Sequence, residues 1–322
     1  MKPAVLVEKA RRDRFLEPIE PCSLDQVRSV TVQNRDDTFA ADDITVNNSD
    51  FTIPENVRQA ILELYDRTPY DVGFYVIDLQ SKMSFGYHAD NSFLHASSIK
   101  LPYALYCFEE LAKGNHTLDE TVIYTEEDFV TGSGEIHFGS YGTAFTIEKL
   151  LYHMLYDSDN VAYAMLRRVF GIDGFNAMME RLGCTSRMEE KLWGYLTPHD
   201  LGLAWQELYT FYESGSEFGA KLWEFVTTNL FNDIATRFSE KNYSLIAHKS
   251  GWNQMVSVES GIVFADNRPY IMVVMTARAN KLWPYWYTMD YIDAIMTHYH
   301  GEDYDYSVPD PENPADLAHP DP

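Results

Sequence analysis

His95-Ala-Ser-Ser-Ile-Lys-Leu-Pro-Tyr-Ala-Leu-Tyr-Cys-Phe-Glu-Glu110 is the stretch around which the rest of the chain is organised. Within it Ser97 and Lys100 form Ser-x-x-Lys at the mouth of an apolar-periodic run, and an offset of three residues puts both side chains on one helical face. A hydroxyl then lies beside an amine. At the first turn that hydroxyl also sits in the positive end of the helix dipole, where free N–H groups favour developing negative charge. Serine is a weak nucleophile unless a neighbour takes its proton, and a lysine does so only when burial or another cation lowers its pKa. The pair therefore predicts a second cation nearby. Alone, the tetrapeptide reads equally well as an N-cap serine followed by an ordinary helical lysine.

Working outward toward the N-terminus, residues 72–78 and 83–88 are β-branched and aromatic and are separated by the polar turn Leu79-Gln-Ser-Lys82, which predicts a hairpin. Residues 54–65, with a proline near the start and apolar Val57, Ile61, Leu62 and Tyr65, predict an amphipathic helix before it. In the other direction the Ser97 helix should end at Lys113-Gly114. Helical patterns follow at 147–156, 160–170 and 174–182, then at Thr197-Pro198, an N-cap with proline at N1, and at 219–230. Period two returns at 244–251, 259–265 and 270–276, the last two joined through Asp266-Asn267, and 286–299 closes as a helix.

This order predicts a mixed α/β fold, a five-stranded antiparallel sheet flanked by helices with an inserted all-helical lobe. The main domain is expected over 51–300, its α/β lobe at 51–94 and 231–300 and its helical lobe at 95–230. Residues 1–50, basic and then polar and acidic, read as a leader or linker with one short strand at 27–32. Residues 301–322 carry five prolines and no Lys or Arg and read as a solvated acidic tail, a simpler reading than metal binding by His298 and His300.

A chain of 322 residues, 45% hydrophobic, supports a substantial core. Its net charge of −24, with 25 scattered basic residues, argues against nucleic acid and anionic membrane as partners. No apolar run reaches the roughly 18 residues of a membrane span, and the first residues lack the apolar stretch of a signal peptide. Cys22, Cys107 and Cys184 are few, odd in number and widely spaced, against a disulfide framework or a zinc site. Cys107 is expected to pack as a small hydrophobe on the Ser97 helix.

Two more short motifs follow in order. Ser158-Asp-Asn160 lies at a break between helical stretches and Lys249-Ser-Gly251 lies in a strand. Each has an ordinary reading, as an N-cap cluster and as an edge strand. With Ser-x-x-Lys, in this order and context, the three resemble the motifs of the penicillin-recognising serine enzymes, most closely the class A β-lactamase-like family. The resemblance covers roughly residues 54–300.

It implies that Ser97 is the acylated nucleophile, Lys100 its activating base and Ser158 a proton-relay hydroxyl. It implies that Asn160 donates to the substrate's amide side chain, that Lys249 and Ser250 receive the substrate carboxylate, and that Gly251 gives backbone access. The N–H groups of Ser97 and Trp252 would form the oxyanion hole. Lys249 is then the second cation that the Ser97–Lys100 pair requires. No cofactor and no metal are implied, and the substrate would be a β-lactam or a peptidoglycan stem peptide. Such substrates lie outside the cytoplasm, so secretion or tethering through a segment not present here is expected.

One departure from the family is visible. The piece that should carry a water-positioning glutamate and asparagine, residues 183–198, is short and holds only Glu189 and Glu190 as carboxylates. An ion pair with Arg187 or Lys191 is the expected use of these two, ahead of water activation. Acylation is thus expected and fast deacylation is not, which keeps open a D-Ala-D-Ala carboxypeptidase or transpeptidase, a non-catalytic binding or sensor module, and an esterase. His199-Asp200 reads as a helix first turn and not as part of a triad. His95 and His137 could flank the cleft, and Gly132-Ser-Gly134 should shape one rim.

Overall fold

Strand β2 (Val72–Asp78) shows how the layers arise. In the computed structural model, which describes residues 43–48, 50–241, 243–265, 268–278 and 283–301, every residue of this strand is buried. Phe74 and Val76 enter one apolar core, and Tyr75 and Ile77 enter another on the opposite face. Strict alternation across a strand produces this division, and a sheet buried on both faces needs helices on both sides.

The first core is closed by helices α1 (Glu55–Asp66) and α9 (Trp283–Tyr299), through Val57, Ile61, Tyr285 and Ile292. The second joins the sheet to α2 (Lys100–Ala112), α3 (Ile147–Tyr156), α4 (Asn160–Phe170), α5 (Asp173–Arg181), α6 (Pro198–Glu213) and α7 (Glu217–Thr227). Helix α2 is buried nearly all round, including Tyr103, Leu105, Cys107 and Phe108, as befits a helix enclosed by both lobes.

The sheet is antiparallel throughout, in the order β1-β3-β2-β10-β9-β8. Its members are β1 (Thr45–Val46), β3 (Ser84–Tyr87), β8 (Leu245–Trp252), β9 (Ser257–Ala265) and β10 (Arg268–Thr276), besides β2. The expected five strands are all present, and β1 adds a sixth. It pairs Thr45 with Gly86 and Val46 with Phe85, inside the segment read as leader or linker, whose boundary is thus set too late. Two residues give no periodicity to read. The pairing is reinforced by Asn47, whose backbone N–H donates to the Ser84 carbonyl at 2.9 Å and whose side chain accepts from the Ser84 N–H at 2.6 Å.

The inserted lobe is not wholly helical. It contains the pair β5 (Thr121–Ile123) and β6 (Ala144–Thr146), and β4 (Phe93–Leu94) meets β7 (Tyr195–Leu196) where the lobe joins the sheet. A five-residue helix α8 (Asp233–Arg237) lies beside β8 and β9. The strand expected at 27–32, Cys22, the Asp266-Asn267 connection and residues 302–322 lie outside the described residues. His300 is within them, and its Nε2 lies 2.8 Å from an Asp78 carboxylate oxygen. Among the described residues no helix is long and apolar enough to cross a membrane.

Candidate active site

Ser97 does not sit in the first α-turn as expected but in a 3-10 turn, Ala96–Ile99, that leads directly into α2 at Lys100. The turn is tightly built. Ala96 has φ +43°, and both the N–H and the hydroxyl of Ser98 donate to the His95 carbonyl, at 3.0 and 2.7 Å. Strand β8 closes on this turn through Gly251. A Cβ at 251 would lie 2.5 Å from Ser98 N, 2.8 Å from His95 O and 2.9 Å from Ser97 N, so only glycine allows the approach. Trp252, half-exposed, follows at the cleft mouth.

Lys100 is fully buried. Its Nζ lies 2.5 Å from the Ser158 carbonyl, 2.7 Å from Asn160 Oδ1, 3.2 Å from Ser97 Oγ and 3.3 Å from Ser158 Oγ. The two shortest partners are carbonyl-type oxygens, which only accept. A neutral amine has two N–H groups for them, and its lone pair then remains for the Ser97 hydroxyl. Burial, first, and the charge of Lys249, second, hold the Lys100 pKa well below the ordinary lysine value, against the opposing pull of Asp159 and Asp157.

Lys249 is buried as well. Its Nζ donates to the Ser250 carbonyl at 2.7 Å and to Ser158 Oγ at 3.2 Å, so the Ser158 hydroxyl stands between two lysine nitrogens. Burial brings Lys249 down to about 8, with Glu259 and Asp157 opposing. Ser158 reaches its place at φ +57°, a conformation that costs a non-glycine residue about 1 kcal/mol or more and that points both its carbonyl and its hydroxyl at Lys100.

Asp159 and Asn160 fix the start of α4. The Asp159 carboxylate accepts from the N–H groups of Ala162 (2.8 Å) and Ile136 (2.9 Å), and Asn160 Nδ2 donates to the Thr131 carbonyl (2.8 Å). The rim loop at Gly132 and Gly134 lies directly on these side chains: a Cβ on Gly134, at φ +97°, would be 2.1 Å from the Asp159 carboxylate. Ser97, Lys100, Ser158, Asn160 and Lys249 thus come together from three distant pieces of chain, with Gly251 packed on the Ser97 turn and Ser250 and Trp252 beside it in β8.

The opposite wall, residues 183–198, is held by its backbone. Arg167 donates to the carbonyls of Glu189 (2.7 Å) and Lys191 (2.9 Å), and Asp200 accepts from the N–H groups of Thr185 (2.9 Å) and Ser186 (2.8 Å). Asp200 follows the N-cap Thr197 in the first turn of α6, and His199 pairs with Asp90, so neither is part of a triad. Glu189 and Glu190 are exposed. The expected pairing with Arg187 is not formed: Arg187 reaches Glu180 at 3.8 Å and donates to the carbonyls of Cys184 and Ser186.

What this wall presents to Lys100 is aromatic. The Trp193 and Tyr163 rings lie 5.7 and 6.0 Å from its Nζ. His95 ties Trp193's neighbour to the Ser97 turn, since its Nε2 accepts from the Gly194 N–H and its Nδ1 donates to the Ala96 carbonyl, both at 2.8 Å. These bonds fix a neutral tautomer, and burial lowers the His95 pKa to about 4. Trp193 and Arg167 were not legible as site residues, because neither belongs to a spaced motif.

Residues 56–296 match the model of the beta-lactamase enzyme family. The chain belongs to this family. The beta-lactamase ROB-1 of Haemophilus influenzae, and that of Mannheimia haemolytica, are each 28% identical over 149 residues, 45% of this chain and 48% of theirs. The chain thus spans about half the length of these relatives. Among solved structures, PBP-A superposes with a TM-score of 0.67 at 21% identity, covering 75% of this chain and 97% of that one. A beta-lactamase from Sphaerobacter thermophilus DSM 20745 superposes at 0.66 with 20% identity, covering 77% and 97%. A PBP-A mutant in an acyl-enzyme complex with penicillin G does so at 0.66 with 19% identity, covering 74% and 94%. At such identities the likeness is one of fold.

Proposed function

We propose that this beta-lactamase-family protein opens an amide-like carbonyl, in a β-lactam or a related peptide, by forming an acyl-Ser97 intermediate. One observation carries the reading: buried Lys100 Nζ lies 3.2 Å from Ser97 Oγ with its two shortest hydrogen bonds given to oxygens that cannot donate, so that the neutral amine keeps its lone pair for the Ser97 proton. Lys100 takes the Ser97 proton as Oγ bonds to the carbonyl carbon. The oxyanion that forms is held by the N–H groups of Ser97 and Trp252, each contributing about 3 to 4 kcal/mol to lowering the barrier.

As the tetrahedral intermediate collapses and the C–N bond breaks, the leaving nitrogen needs a proton. Ser158 Oγ, 3.3 and 3.2 Å from the two lysine nitrogens, is the hydroxyl through which it passes. Protonated Lys249, with Ser250, receives the substrate carboxylate. An anion is thereby drawn into a protein whose net charge is −24.

The second half of the reaction favours a slow enzyme. Hydrolysis of the ester needs a base for water, and among the described residues the hydrogen-bond partners of Lys100 include no carboxylate, while Trp193 stands beside it. This supports a peptidoglycan D-Ala-D-Ala peptidase or transpeptidase that β-lactams trap over a β-lactamase with rapid turnover. A substrate of that class places the protein in the cell envelope or outside the cell. Incubation with benzylpenicillin followed by intact-protein mass spectrometry tests both halves. A lasting adduct on Ser97, lost in Ser97→Ala, is expected. Rapid release would make the protein a β-lactamase, and no adduct would leave a binding module.

A further inference from the structure

The Ser97 N–H, one of the two donors assigned to the oxyanion, belongs to the peptide unit that joins residues 96 and 97. No peptide bond among the described residues is cis, so the Ala96 carbonyl and the Ser97 N–H point to opposite sides of one rigid plane. Whatever holds the carbonyl therefore aims the N–H. The holder is His95, whose Nδ1–H donates to the Ala96 carbonyl at 2.8 Å. Ala96 itself, at φ +43°, is in a conformation that a non-glycine residue keeps only under constraint.

The imidazole is anchored in its turn. Its Nε2 accepts from the Gly194 N–H at 2.8 Å, and the His95 N–H donates to the Gly194 carbonyl at 3.2 Å, so ring and backbone are both tied to one residue of the facing wall. One ring nitrogen accepts and the other donates, which requires the neutral Nδ1–H tautomer. The Ser97 nitrogen lies against β8, the strand that carries the second donor, Trp252: a Cβ at Gly251 would come within 2.9 Å of it. A hydrogen bond accepted by the Ala96 carbonyl also polarises the N–H of the same peptide unit and strengthens it as a donor.

We propose that His95 is a positioning residue for acylation, whose Nδ1–H, by fixing the Ala96 carbonyl, aims the Ser97 N–H at the oxyanion. The inference rests on the reading of Ser97 as the nucleophile. Two conservative variants separate this role from the anchoring of the 183–198 wall. In His95→Asn the amide nitrogen takes about the place of Nδ1 and still donates to Ala96, whereas in His95→Gln the amide oxygen takes about the place of Nε2 and still accepts from Gly194. Acylation of the full chain by benzylpenicillin, followed by intact-protein mass spectrometry over a range of concentrations, gives the acylation rate constant and the affinity that precedes it. His95→Gln should lower the rate constant about thirtyfold or more and leave the affinity within about twofold, because the oxyanion forms only in the transition state. His95→Asn should bring the rate constant back to within about fivefold of the wild type.

A His95→Gln variant that acylates as fast as His95→Asn, or a loss confined to the affinity, would overturn the proposal. So would an NMR spectrum of the wild-type histidine nitrogens that shows His95 as the Nε2–H tautomer, which has no proton for the Ala96 carbonyl. That measurement decides the matter even if neither variant folds. Failure of benzylpenicillin to label Ser97 in the wild type would instead overturn the acylation reading itself, and the proposal with it.

Discussion

The two walls of the cleft are built in opposite ways. On one, the side chains of Ser97, Lys100, Ser158, Asn160 and Lys249 bond to one another or to nearby carbonyls at 2.5 to 3.3 Å, the Ser158 carbonyl among them. On the other, residues 183–198, the backbone is what is held, by Arg167, Asn176 and Asp200, and the carboxylates of Glu189 and Glu190 belong to exposed residues. The first wall sets proton positions and the second sets a surface. Preorganised polar groups lower a barrier only where charge develops, and the contrast is the one that the proposed attack by Ser97 requires.

Removing the base should break the contrast most. Lys100→Met keeps the length of the side chain and deletes the lone pair, and acylation by penicillin should fall by about 10³-fold or more. A loss below tenfold would mean that another group takes the Ser97 proton. The next effect acts on position alone. Gly251→Ala leaves every polar group in place but drives a Cβ against the backbone of residues 95, 97 and 98, and the turn must move. Acylation should drop about a hundredfold, since displacements near 1 Å cost that much. Unchanged kinetics would show that β8 yields instead of the turn.

Legibility in the sequence follows the same division. The first wall depends on short motifs whose spacing is chemistry: Ser97 with Lys100 on one turn, Ser158 with Asn160 at a helix start, Lys249 with Gly251 on a strand. The sheet was legible because β2 and β10 alternate between two cores, and β1 was not because two residues have no period. The second wall was legible only as short and poor in carboxylates. Trp193 meets Lys100 through a fold contact across 93 residues, and Glu259 stands beside Ser250 through strand register. Neither relation leaves a spacing in the sequence.

His95 is the joint between the walls, and its effect should appear in stability. Its pKa is about 4 in the folded protein and near 6.5 when unfolded. Between those values the unfolded chain binds more protons, so the stability tied to neutral His95 is complete above pH 6.5 and is lost as pH falls toward 4. At pH 5 the loss is about 2 kcal/mol. Denaturant unfolding at pH 7 and pH 5 should show a smaller pH-dependent loss in His95→Asn than in the wild type. Equal losses in the two proteins would mean that the imidazole is not held neutral by its bonds to Gly194 and Ala96.

Trp193→Ala should give the smallest change and draws the contrast most sharply. The acid limb of the acylation profile reports Lys100, which must be neutral to act, and the alkaline limb reports Lys249, near 8. Burial is the main cause of the low Lys100 pKa, so opening the aromatic wall to water raises it. The lost ring contact, worth about 0.5 to 1 kcal/mol to the ammonium, works the other way and is the smaller of the two. The acid limb should therefore move up by about one pH unit or less, with acylation at pH 7 reduced by less than about tenfold. The lifetime of the acyl-enzyme should hardly change, because water admitted beside Lys100 still finds no carboxylate among the hydrogen-bond partners that the described residues give it. If the lifetime instead fell by about a hundredfold, the wall would be protecting the ester by shielding it and not by lacking a base, and the two walls would have to be read as parts of one deacylation device.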